Sequence, residues 1–309
     1  MPTPHILLIF LDGIGLGDDD PAINPFAVMN APTLHNLAGG KRWLRDTPRT
    51  ETERAIFIPT DAQFGISGRP QSASGQATIF TGRNVPAEIG EHYGPKPNPP
   101  IREILQQGNL FKTLVAHNRT AALINPYPPG FFKGINSGKR IPSSYQIAVM
   151  SAGLSLLTEQ HYNAGEAIAP DWTGEGWREH LGYLDAPVYT PEGAGVRLGE
   201  LAWQRDFTFF STWITDEIGH RGPFEDAVKF MERFDGVMSG LLGKWRDDGG
   251  LIIITSDHGN MEVQGDRRHS ENQVPTVVIG EKRHEFAENF TSLMDITPGI
   301  LRVLGIENS

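Results

Sequence analysis

Five short apolar runs punctuate the chain: HILLIFL at 5–11, TAALINP at 120–126, DFTFFSTWIT at 206–215, GLIIITS at 250–256 and VPTVVIG at 274–280. Each is bounded by Gly, Pro, Asp or Asn, and apolar runs of this length read as buried strands. Between several of them lie stretches with apolar residues at helical spacing, among them REILQQGNLFKTLVAHN (102–118) and EDAVKFMERFDGVMSGLLGKWRDD (225–248). Alternating strands and helices predict an α/β fold with a mostly parallel sheet flanked by helices on both faces. In such sheets ligands collect beyond the carboxyl ends of the strands, so the residues that follow each run matter most. YGPKPNPP (93–100) and NPYPPGFFKGINSGKR (125–140) are too rich in Pro and Gly for long helices. The weakly periodic stretch from about 126 to 195 reads as a candidate lid inserted in a single domain spanning 1–309.

Composition narrows the function classes. With 39% hydrophobic and 21% charged residues the chain has the make-up of a soluble globular protein, and no apolar run reaches the roughly 18 residues that a membrane span needs. HILLIFLDG lacks a basic flank and a small-residue cleavage site, so it reads as a first strand rather than a secretory signal, which favours a cytoplasmic location. The absence of cysteine rules out disulfides and thiolate metal sites, leaving Asp, Glu, His and hydroxyls as possible metal donors. A formal net charge of −10, with no dense basic run, argues against a nucleic-acid partner. No membrane partner is expected either.

The strand ends carry the chemistry. IFLDGIG ends in Asp12, WITDEIGH in Asp216 with His220 four residues on, and IITSDHG in Asp257 and His258; His269 follows in the next loop. Taken singly, an Asp-Gly after a strand is a turn and a lone His is a surface residue. Together, six residues of metal-seeking type fall after strands in one pattern. Carboxylates and imidazoles suit Zn2+ or Mn2+, and these residues suffice for two ions with about three protein ligands each. Two dications against three aspartates leave the site cationic by about one unit, suited to a phosphate despite the acidic chain. QSASGQATIFTGRN (71–84) offers a hydroxyl, Ser72 or Ser74, at the start of a helix-like stretch, where N–H groups and the dipole favour an anion; capping is the alternative role. Arg83 and Asn84 just beyond it are candidate phosphate contacts. Asn260 is a candidate to orient a ligand, or a turn residue. DGIGLGD lacks the last glycine of a dinucleotide fingerprint, since Asp18 stands there.

This ordered set resembles the alkaline phosphatase superfamily, and within it the branch of cofactor-independent phosphoglycerate mutase and phosphopentomutase. The residues that carry the resemblance are Asp12-Gly13, a serine ten residues before Gly82, Asp216-x-x-x-His220, SDHGN and HSENQVP. The spacing from Gly82 selects Ser72 over Ser74. The resemblance implies one ion held by Asp12, Ser72, Asp257 and His258, and a second by Asp216, His220 and His269. It also implies an alkaline-phosphatase-like core and phosphoryl transfer to and from Ser72.

The same resemblance frames the choice of reaction. Cofactor-independent phosphoglycerate mutases carry a far longer inserted domain, for which the roughly 130 residues between Gly82 and Asp216 have no counterpart. A mutase must keep water from its phosphoenzyme, whereas a hydrolase must admit it. The expectation is therefore a metal-dependent phosphomonoester hydrolase acting on a small phosphorylated metabolite through a phosphoserine that water cleaves. A phosphomutase with a reduced cap and a catalytically silent binding protein on the same fold are the alternatives.

Overall fold

All five apolar runs hold strands of one seven-stranded sheet in the computed structural model, which describes residues 4–306. The strands are β1 (His5–Leu11), β2 (Thr50–Glu51), β3 (Ala55–Thr60), β4 (Ala121–Leu123), β7 (Phe207–Thr212), β8 (Gly250–Thr255) and β9 (Val274–Ile279); β5 (Pro126–Tyr127) and β6 (Leu157–Thr158) form a separate pair. The order across the sheet is β2-β3-β9-β8-β1-β7-β4.

The α/β class stands, and the expected mostly parallel sheet is borne out in part. β1 runs parallel to β7 and β8, and β4 to β7, whereas β8–β9, β9–β3 and β3–β2 are antiparallel. The sheet is mixed. The reason lies in the connections: a parallel neighbour needs a crossover, usually helical, and the chain between β8 and β9 forms no helix, so it doubles back.

Successive side chains of a strand face opposite sides, and β1 divides its apolar residues accordingly. Ile6, Leu8 and Phe10 join Ala73, Ala77, Phe80, Phe111, Phe209 and Ile300 on one face. Leu7, Ile9 and Leu11 join Leu198, Phe210, Phe230, Phe234 and Met238 on the other. Helix Phe224–Lys244 buries Ala227, Phe230, Met231, Phe234, Val237, Met238 and Leu241, the three-and-four spacing of one helical stripe. Each such Phe, Met, Val or Leu side chain stabilises the fold by roughly 1.5–3 kcal/mol. Helix Ser72–Thr81 is buried nearly all round and ends at Gly82, whose φ of 69° terminates it.

The segment after β5 divides into two parts. Helix Ser144–Ser151 packs against helix Ser72–Thr81, with Ser144 Oγ donating to the Ala73 carbonyl at 2.6 Å and Tyr145 against Phe10 and Phe209. Beyond it, Tyr162, Ala167, Ala169, Trp177 and Ala186 form a small cluster of their own. No helix among the described residues is long and apolar enough to cross a membrane.

Candidate metal centre

Because β8, β1 and β7 are neighbours, their carboxyl ends lie side by side, in the crevice where α/β sheets gather ligands. Asp12 is the first residue past β1, and Asp257 and His258 follow β8 after Ser256. Asp216 sits differently from the strand end expected: β7 stops at Thr212, and Asp216 lies in the first turn of helix Ile214–Arg221, with His220 one turn on. That i,i+4 spacing puts both on one helix face, Asp216 Oδ2 lying 3.3 Å from His220 Nε2. His269 arrives on the loop between β8 and β9.

Ser72, Asp12, Asp257 and His258 converge. His258 Nε2 is 3.0 Å from Ser72 Oγ, 3.3 Å from Asp12 Oδ1 and 3.6 Å from Asp257 Oδ1. Asp216, His220 and His269 converge beside them, with His269 Nε2 3.2 Å from His220 Nε2 and 3.7 Å from Asp216 Oδ1. The His258 and His269 rings stack at 3.6 Å and join the two sets. Donor atoms lie within 4.8 Å of one another in Asp12-Asp257-His258 and also in Asp216-His258-His269, so His258 is within reach of both sets and not only of the first.

The donors fit divalent cations. His220 Nδ1 faces the Arg267 carbonyl at 2.6 Å and His269 Nδ1 the Pro70 carbonyl at 2.8 Å. A carbonyl only accepts, so both Nδ1 atoms carry a proton; His269 Nε2 presents a lone pair, and His220, pushed up by its hydrogen bond to Asp216, presents one when neutral. Two lone pairs and the Asp216 carboxylate then point at one place, an arrangement a cation satisfies. Asp12 Oδ1 is likewise buried without a hydrogen-bond partner.

Electrostatics agree. Burial, then the charges of Asp257 and Asp216, push the Asp12 carboxyl well above its usual range. Burial, followed by Asp216, pushes Asp257 up to about 7. Burial also works against ionised Asp216, but hydrogen bonds from His220 and Asn260 hold it below the usual carboxylate range. Burial pushes His258 down, and burial with the neighbouring His258 pushes His269 down to about 4, so both imidazoles are neutral and ready to coordinate. A cation must displace the proton held by Asp257. Metal affinity is therefore expected to fall as pH drops below about 7, by up to about tenfold per pH unit for each proton displaced. Titration calorimetry in buffers of different ionisation heat checks this; an affinity flat from pH 8 to 5.5 would contradict it.

Two predicted phosphate contacts are not brought to the cluster. Arg83 and Asn84 lie past the far end of helix Ser72–Thr81, about 15 Å along its axis from Ser72. Arg83 is engaged by Glu88 and Gln107. Asn84 caps the next helix, accepting from Ala87 N–H and donating to the Phe64 carbonyl. Asn260 does reach the cluster, donating to Asp216 Oδ1 at 2.7 Å and to its carbonyl at 3.0 Å. Sequence reading missed Gln76, which donates to Asp12 and Asp257; its place one helical turn after Ser72 was the available signal. It also missed Lys96, whose charge acts on Asp12, and the buried Glu262, which no periodicity distinguishes from a surface acid. An open cleft of about 430 Å3, lined in part by Arg69, Gln71, His92 and Gly94, adjoins Ser72.

Comparison with known proteins points the same way. A family model described as Metalloenzyme superfamily matches residues 199–308. The 2,3-bisphosphoglycerate-independent phosphoglycerate mutase of Chromobacterium violaceum is 37% identical over 99 residues, which are 30% of this chain and 19% of that protein. Its counterpart from Legionella pneumophila is 36% identical over 98 residues, 29% of this chain and 19% of the relative. The match thus spans about a fifth of the length of these curated relatives. Among solved structures, a protein from Pyrococcus horikoshii covers 100% of this chain and 99% of its own length with a TM-score of 0.60 at 14% identity. The alkaline phosphatase from the Antarctic bacterium TAB5 covers 99% of each chain with a TM-score of 0.55 at 13% identity. At these identities the structural likeness is one of fold. Family model, relatives and fold thus point one way: residues 199–308 match the Metalloenzyme superfamily, the chain resembles the 2,3-bisphosphoglycerate-independent phosphoglycerate mutases over about 100 residues, and its fold is like that of an alkaline phosphatase.

Proposed function

We propose that the protein is a metal-dependent phosphomonoester hydrolase that works through a phosphoserine at Ser72 on a small phosphorylated metabolite. The observation that carries this reading is the placement of Ser72 Oγ, at the first residue of a buried helix and 3.0 Å from His258 Nε2, beside two sets of metal-capable side chains. Asp12, Ser72, Asp257 and His258 would hold one Mn2+ or Zn2+ ion, and Asp216, His220 and His269 the other. Such ions supply Lewis-acid stabilisation of charge on the serine, phosphoryl and leaving oxygens.

The chain's own groups do the rest. Ser72 Oγ forms a bond to phosphorus as the bond to the ester oxygen breaks, and the alcohol leaves with a proton. Water then attacks the phosphoserine, releases phosphate and restores the hydroxyl. The N-terminus of the Ser72–Thr81 helix favours the phosphate's negative charge. Ser74 N–H is already given to the Tyr93 carbonyl and Gly75 N–H to that of Gln71, so direct N–H contacts fall to Ser72 and Ala73. Lys96 supplies a cation nearby. The cleft beside Ser72 suits the alcohol part of the ester.

The size of the cover supports hydrolysis rather than phosphoryl return. The part of the 126–195 segment outside the main core is small, its own cluster being Tyr162, Ala167, Ala169, Trp177 and Ala186, and a cover of this size leaves a path for water. With phosphoglycerate, pentose phosphates and an aryl phosphate in the presence of Mn2+ or Zn2+, phosphorus NMR is expected to record free phosphate. Positional isomers appearing without free phosphate would establish a mutase instead.

A further inference from the structure

Gln76 sits one helical turn after Ser72 and is buried, 3% exposed. Its amide nitrogen lies 3.3 Å from Asp12 Oδ2 and 3.2 Å from Asp257 Oδ2. With the ions bound both carboxylates are ionised and their oxygens only accept, so the nitrogen, and not the amide oxygen, faces them. The two protons of one amide nitrogen then go one to each aspartate. The amide oxygen is left buried and without a partner, an unfavourable state that the two charge-assisted hydrogen bonds offset.

The geometry is selective at the level of single oxygens. Gln76 takes the Oδ2 atom of each aspartate, and the Oδ1 atoms are the ones that approach His258 Nε2, at 3.3 Å and 3.6 Å. We propose that Gln76 is the positioning residue of the first ion site, its amide turning the Asp12 and Asp257 carboxylates so that their Oδ1 atoms converge beside Ser72 and His258. Ser72 and Gln76 lie at i and i+4 on one helix, and this spacing places both on one face. A single rigid element thereby sets the nucleophile and both acidic donors in register. Among the described residues the Gln76 amide donates to Asp12 and Asp257, whereas Asp216 is oriented by Asn260. The inference rests on the two-ion reading of the site given above.

The test is metal titration of the metal-free protein, followed by calorimetry. Gln76→Leu removes the donor while keeping an apolar side chain of similar size, and Gln76→Glu keeps the shape in case the leucine variant does not fold. Either is expected to weaken one of the two ions about 10- to 100-fold and leave the other unchanged. In His220→Ala protein, which damages the second site, the ion that still binds is expected to be the one weakened by Gln76→Leu. Two ions bound with wild-type affinities by the Gln76 variants would overturn the proposal, as would equal weakening of both, which marks a merely structural role. A protein that binds two ions but turns over no phosphomonoester would instead sink the proposed activity and leave this inference standing.

Discussion

Ser72→Ala is expected to lower kcat by roughly ten-thousand-fold or more, the scale seen when a covalent nucleophile is removed, while leaving metal content close to that of the unmodified protein. The hydroxyl is the group on which the phosphoryl would be carried, and no neighbouring hydroxyl replaces it. Ser74, the nearest rival by sequence, has its Oγ directed to the Gln71 carbonyl at 3.3 Å and accepts the Tyr93 N–H at 3.0 Å. That hydroxyl ties the loop to the helix. Ser74→Ala should therefore cost about 1 kcal/mol of stability and change kcat only a few-fold. Steady-state rates and elemental analysis on both variants decide the matter. Reversed behaviour would move the nucleophile to Ser74 and break the spacing argument from Gly82.

A second large effect is expected at a residue outside the ion-holding set. Glu262 is 1% exposed and accepts from Gly15 N–H at 3.0 Å, Asn260 N–H at 2.8 Å, Asn272 Nδ2 at 2.9 Å and the Ser270 hydroxyl. It thus ties together the loop after β1, the loop after β8 and the segment that carries His269. The backbone closes tightly on it: a Cβ added at Gly15 or Gly259 would lie 2.2 Å or 2.3 Å from Glu262 Oε1. Glu262→Ala would leave four donors without an acceptor, each costing about 1–3 kcal/mol if it stays buried. The melting temperature is expected to fall by on the order of 10 °C or more, with metal content dropping alongside. A melting curve within about two degrees of the parent would show that water fills the acceptor's place and that the three loops hold without it.

The strand positions were legible because burial writes itself into apolar runs; direction does not, which is why the β8–β9 hairpin-like return was not foreseen. The helix-free stretch from Ser256 to Gln273 held the clue. β3 went unnoticed since AIFIPT is short and carries a proline. Among the site residues, Asp12, Asp257 and His258 could be read from their place directly after strands, and their juxtaposition follows from β8 and β1 being neighbours. Asp216 was read one element too early, since TWITD looks extended locally, and the helix that holds it is fixed by tertiary packing. Arg83 and Asn84 were drawn toward Ser72 by closeness in sequence. A helix of ten residues separates its ends in space. Glycines in DGIGLGD, which imitate a nucleotide fingerprint, instead make room for Glu262.

The sheet order bears on how the chain comes together during synthesis. β1 is flanked by β7 and β8, with Ile6 paired to Phe207 on one side and to Leu251 on the other. Neither partner exists until some two hundred further residues have been made, so a strand of almost pure Ile, Leu and Phe waits with both edges bare. Pairings this distant in sequence close slowly, and unpaired apolar edges invite association with other chains. The nucleophile helix is finished long before the strands that will surround it. Nascent chains stopped short of residue 250 therefore have a core missing its centre, and chaperone demand should concentrate there rather than in the segment that covers the site.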